Sequence, residues 1–382
     1  MTDLQSSTSN LHQHHQLPSL VQPHQQKQSS SSSSVNHETK TSNLDKQCGF
    51  KESPQVILKS HSTAPISMYR GATAIYNGVV YFTCKEKVLS YNIQSQAWAT
   101  ETDSPQASGA FTIIGELPTM IGGLKDGRVT NEIVSLLDGL WTETFPRMPT
   151  PRIHSSAVVC QNHLIVAGGS LSEKLCGDVL SVVEVMDIGR CQSDQAWSAV
   201  SYLLHPLAEA SMVVHDEQIV LIGGIDRNGR TLVTQTCVIS VLLDTKKQPT
   251  PLRNSKSFGT KLKKAFNPTT NSKRDNISPP WIKIDDSRQF HSTCISVGGH
   301  LFTIGGCSHS GVGMRCIHCY NRHSRLWEEV GFLRAARWLC CAATLPGNEL
   351  MVVGGYMTLT SSDTILSDKV EISRIVKQSL KH

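Results

Sequence analysis

Aromatic residues make up only 6% of this 382-residue chain, and the formal net charge is only +5. So small a charge does not announce nucleic acid or an anionic membrane as the partner. No apolar run approaches the length of a membrane helix, so no span is expected. The chain starts MTDLQSSTSNLHQHHQ, without the basic and apolar regions of a secretory signal, so the expected compartment is the cytoplasm, with nuclear access open. In that reducing setting the 12 cysteines are expected to be free thiols rather than disulfides. Also missing are the Gly-x-Ser-x-Gly elbow, the phosphate-binding loop and the His-Glu-x-x-His motif, so nothing points to catalysis. What is present is enough apolar residue, 39%, to build a sizeable core.

Two stretches depart from that average. The first 50 residues hold 11 Ser, 8 Gln and 5 His, including an unbroken run from Ser29 to Ser34. Such a segment cannot bury enough apolar area to offset its ordering entropy, so residues 1–53 read as a disordered tail. His12, His14 and His15 within it read as a solvated cluster, since nothing fixes ligand geometry. The second stretch, Lys246–Pro280, carries nine Lys and Arg against one acid, Asp275, a local charge of +8 that leaves −3 for the rest of the chain. It reads as a disordered basic insertion, with Lys261–Lys264 a weak match to a localisation patch.

Between these stretches the sequence repeats. Short apolar strands end in Gly-Gly at Gly123, Gly169, Gly224, Gly306 and Gly355, spaced by 46, 55, 82 and 49 residues. Removing the 35-residue basic window brings the third interval to 47, for a period of about 50. A second strand precedes each pair, as in HSSAVVC, EASMVVH and HSTCISV, and Val297–His300 reads as a hairpin connection. Trp98, Trp141, Trp197, Trp281 and Trp327 follow on a fourth strand, and Tyr91-to-Trp98 and Tyr320-to-Trp327 share one offset. The pattern of Gly-Gly, Tyr-to-Trp offset and Pro-Arg connection (Met148–Arg152) resembles the kelch-repeat family over nearly all of Gln55–Ser373.

That resemblance implies an all-β fold: a six-bladed kelch-type β-propeller of four-stranded blades over residues 54–376, with the basic window 246–280 inside blade 4 and a short tail at 377–382. The first unit has Cys84-Lys85 in place of Gly-Gly and counts as a degenerate blade. The last unit lacks a fourth strand, and Val56–Leu58 is expected to supply it, closing the ring and removing an exposed edge.

Among candidate sites, Cys316-x-x-Cys319, with Cys307, His309, His318 and His323 nearby, has zinc-like spacing. Its place on a third strand, where side chains alternate between faces, argues against a metal, so no metal or cofactor is expected. In kelch proteins the loops after Gly-Gly and the loops approaching each first strand build the ligand surface. Carried onto this chain, that surface comprises Arg70, Arg152 with His154, Arg288 with His291, and Arg337 with Trp338, joined by Lys125, Arg227 and His309. A ring of arginines would suit an acidic motif through bidentate hydrogen bonds, unless the arginines tie blades together. The expected function is a non-enzymatic scaffold or substrate adaptor that binds a protein partner, linked only indirectly to a ubiquitin ligase because no BTB domain is present. A cytoskeletal (actin-type) binder and a kelch-fold enzyme, a sugar mutarotase or an oxidase, are the alternatives.

Overall fold

Four of the six repeats begin with a two-residue hairpin whose loop residues both take positive φ, the geometry that matches strand twist. Asn77-Gly78 joins Thr73–Tyr76 to Val79–Cys84, and Gly298-Gly299 joins Thr293–Val297 to His300–Ile304. Gln161-Asn162 and Asp216-Glu217 do the same at Ser156–Cys160 and Ser211–His215. First-strand hairpins, extended by further antiparallel strands, make every blade in a computed structural model of the protein. It describes residues 54–84, 87–173, 178–192, 196–203, 205–226, 237–239, 291–308, 312–358 and 363–376. The expected tails 1–53 and 377–382 and the insertion 246–280 lie outside them.

The six sheets follow one another along the chain. Blade 1 spans Thr73–Asp103, blade 2 Ala110–Glu143, blade 3 Ser156–Tyr202 and blade 5 Thr293–Phe332, each with four strands in sequence order. Three strands of blade 4 are described: Ser211–His215, Gln218–Ile222 and Cys237–Ile239. Blade 6 takes Cys341–Leu345, Glu349–Val353 and Lys369–Val376 from the end of the chain. Its outermost strand is Gln55–Thr63, with Val56 opposite Ile375 and Leu58 opposite Ser373, so the ring closes as the repeat count requires. The first strands touch in cyclic order, blade 6 back to blade 1. No α-helix occurs among the described residues, and none of their helices is long and apolar enough to cross a membrane.

Stability comes from the seams. A separate apolar cluster fills each of the six junctions, for example Phe82 and Leu89 of blade 1 against Met351 and Val353 of blade 6. Ile121 and Ile133 of blade 2 likewise meet Leu164 and Val166 of blade 3. Each fully buried side chain of this size contributes about 1.5–3 kcal/mol. Tyr91 and Trp98 sit directly opposite in register with rings 5.0 Å apart, and Tyr320 and Trp327 repeat the arrangement at 5.4 Å. One feature had no sequence signal: a small sheet of Arg337–Trp338, Tyr356–Thr358 and Thr364–Leu366 over the end of the ring where first strands begin.

Candidate functional site

The expected ring of arginines resolves into two different positions. Arg152 and Arg337 are buried, with 0% and 1% of the residue exposed, so neither belongs to the loop face. They tie blades together. The Arg152 carbonyl accepts from Gly123 of blade 2, while its guanidinium reaches into blade 3, donating to the Gly168 carbonyl at 2.9 Å and to Glu184 Oε2 at 2.6 Å. Arg337 repeats this between blades 5 and 6, accepting from Gly306 and donating to the Lys369 carbonyl and the Glu371 carboxylate. A Cβ on Gly122 or Gly305 would lie 2.5 or 2.4 Å from the carbonyl oxygen of Arg152 or Arg337, which explains glycine there. By backbone bonding the equivalent of Arg152 ahead of blade 1 is Met68, whose carbonyl accepts from Gly355, and Arg70 lies two residues further on.

Arg70 belongs instead to a set of six residues, one per blade: Arg70, Ser108, His154, Glu209, His291 and Leu339. All six have left-handed φ, between 50° and 58°. Non-glycine residues held there cost on the order of 1–3 kcal/mol and need surrounding structure to fix them. Main-chain bonds run between neighbouring members, from Arg70 to Leu339, Leu339 to His291, Glu209 to His154 and His154 to Ser108. Together they frame the mouth of the central channel, a cavity of about 210 Å³.

Arg70 on blade 1 and Glu209 on blade 4 face each other across the axis. Arg70 Nη1 lies 3.1 Å from Glu209 Oε1, with the arginine side chain 40% exposed and the glutamate 4%. His154 Nδ1 and His291 Nδ1 flank the carboxylate at 3.9 and 3.7 Å. Burial, reinforced by the Arg70 charge, brings both imidazoles down to about 4, so they are neutral at physiological pH. Burial pushes the Glu209 carboxyl above its ordinary value, and Arg70 opposes that rise. Neither Glu209 oxygen accepts a hydrogen bond from the protein, and His291 Nδ1, Ser155 Oγ and Ser292 Oγ on the same wall are also unmatched.

Three comparisons bear on the family. The family model described as "Kelch motif" matches residues 290–331, which is blade 5. An F-box/kelch-repeat protein of Arabidopsis thaliana is 28% identical over 96 residues, 25% of this chain and 25% of the relative. Blade 5 therefore carries a kelch motif. The solved structure of YjhT superposes with a TM-score of 0.59 at 14% identity, covering 83% of this chain and 99% of that one, a likeness of fold alone.

Around the channel mouth the remaining expected residues scatter. Lys125 sits in the hairpin that ends at Asp126-Gly127 and pairs with Glu132 at 2.6 Å. Arg227, Arg288 and His309 lie outside the described residues. Trp338 is half-buried beside Tyr356, rings 6.0 Å apart, and Tyr356 meets Tyr69 at 5.0 Å, forming an aromatic trio next to Arg70. Cys316 and Cys319 lie on one strand, opposite Phe332 and Glu328 respectively, with Cys319 buried and Cys316 half-buried. Among the described residues no group of three His, Cys, Asp or Glu is arranged to hold a metal. Glu209, Tyr69 and Tyr356 were not among the expected residues. Stacking EASMVV on HSSAVV and HSTCIS places Glu209 level with His154 and His291, so its signal was in the repeat.

Proposed function

We propose that this kelch propeller is a non-enzymatic protein-interaction module that holds a partner segment across its loop face. One observation carries the reading: Tyr69, Trp338 and Tyr356 pack against one another at the rim beside half-exposed Arg70. Tyr and Trp are among the residues that dominate interface hot spots, because each combines a large apolar body with a polar handle. Gly313 donates to Thr358, joining the segment after the blade 5 glycine pair to the small sheet that holds Trp338 and Tyr356. The name of the Arabidopsis relative, which couples kelch repeats to an F-box, supports a role as the recognition part of a larger assembly.

The test compares interactors of the full chain with those of a Trp338→Ala/Tyr356→Ala variant by quantitative affinity purification. Loss of the specific interactors with an unchanged melting temperature is expected. Retention of every interactor by the folded variant would remove the loop face as the binding surface.

A further inference from the structure

The channel mouth is built for a cation. Glu209 is a carboxylate almost wholly withdrawn from water, yet neither of its oxygens accepts a hydrogen bond from the protein. An unmatched buried carboxylate is costly, so one kept in a native fold calls for a reason. Arg70 compensates the charge only in part. It approaches one oxygen at 3.1 Å without the alignment of a hydrogen bond, leaves Oε2 unmatched, and is exposed enough to swing out. The wall beside the carboxylate adds uncharged polar groups rather than charges: the unmatched Ser155 and Ser292 hydroxyls and the His291 ring. Both flanking imidazoles are uncharged near neutral pH, so they do not repel a cation. The cavity of about 210 Å³ holds several waters at ~30 Å³ each, room for the head of one side chain but not for a helix. An acidic motif would meet Glu209 head-on.

We infer that the mouth receives a lysine or arginine side chain of the partner protein, which pairs with Glu209 and displaces Arg70. The inference rests on the loop-face reading and adds the chemistry of its anchor. Three to five donors on the incoming head would match the two Glu209 oxygens and the uncharged polar groups around them, forming charge-assisted hydrogen bonds. Arg70 then acts as an internal occupant of the empty site, so removing it should favour binding while removing Glu209 should abolish it.

A displayed random-peptide library selected on the full chain tests this, followed by affinity measurements on one enriched peptide. The enriched peptides are expected to share a Lys or Arg. Replacing that residue by norleucine, or making the isosteric Glu209→Gln change, should weaken binding at least tenfold, and Arg70→Ala should tighten it several-fold. Peptides that lose affinity with Trp338→Ala but are indifferent to Glu209→Gln, or that are enriched in Asp and Glu, would overturn the inference and leave the loop-face reading standing. Peptides sensitive to Glu209→Gln but not to Trp338→Ala or Tyr356→Ala would do the opposite. If the library yields nothing, N-acetyl-arginine N-methylamide titrated against the labelled protein decides it by NMR. Saturable shifts at the mouth that vanish in Glu209→Gln support the site, and their absence, or equal shifts with N-acetyl-glutamate N-methylamide, overturns it.

Discussion

Two arginine–glutamate pairs, made from the same residue types, do different work. At the seam between blades 2 and 3, Arg152 and Glu184 are both buried, and every oxygen of the carboxylate is used: Oε2 by Arg152 and Oε1 by the Thr150 hydroxyl at 2.6 Å. At the channel mouth Glu209 is equally buried, but its partner is half in solvent and no hydrogen bond reaches it. A satisfied buried pair locks its neighbours in place, whereas an unsatisfied one keeps capacity for something else. The difference separates scaffold from site in a fold whose repeats otherwise look alike.

Breaking the scaffold side should give the largest effects. Deleting residues 1–60 removes much of the outer strand of blade 6, Gln55–Thr63, while deleting 1–50 leaves it whole. Several ladder bonds at about 1 kcal/mol each, with the apolar contact of Val56 at the blade 5–6 seam, put the loss at more than about 5 kcal/mol. The longer truncation should therefore melt far below the shorter one, and equal melting temperatures would refute closure. Next in size is the seam pair. Arg152→Ala leaves Glu184 buried and unpaired, and should cost about 3–5 kcal/mol in chemical denaturation. A loss under about 1 kcal/mol would show that the pair is not a staple.

The fold was largely legible because a propeller repeats its signal. Gly-Gly, the Tyr–Trp pairing and the 50-residue period each recur, so a degenerate member such as Cys84-Lys85 could be placed by its neighbours. The site was read less well, for a geometric reason. Arg70, Arg152 and Arg337 all precede first strands, but a two-residue offset separates a buried bridge from a rim position. Only the main-chain bonds of Met68, Arg152 and Arg337 to the glycine pairs reveal that offset. Glu209 was missed because charge was sought as clustered arginine, while the mouth is organised around one acid. The small sheet holding Trp338 and Tyr356 has strands of two and three residues, too short to leave a period.

Smaller effects belong to the mouth. Glu209→Gln removes a buried charge that has no hydrogen bond, so thermal or chemical denaturation should show a change within about 1 kcal/mol, in either direction. A loss as large as that of Arg152→Ala would make the mouth scaffold as well. Smaller still is the pH response. His154, His215 and His291 bind protons near pH 4 in the fold but near 6.5 in the unfolded chain. Between those values the unfolded state holds more protons, so stability should fall as pH drops from 6.5 toward 4. Glu209, raised in the fold, contributes in the opposite direction, its stabilisation being lost as pH rises through its folded value. Glu209→Gln should therefore steepen the acid-side decline measured as melting temperature against pH, and a flatter profile would refute this assignment.

The most direct test of the central contrast is a pair of double-mutant cycles, Arg152/Glu184 and Arg70/Glu209, each residue taken to alanine and stability measured by denaturation in one buffer. The seam pair should show a coupling energy of at least about 2 kcal/mol and the mouth pair less than about 0.5 kcal/mol. Equal couplings at the two places would contradict the division between a pair that holds the ring and one that waits for a partner.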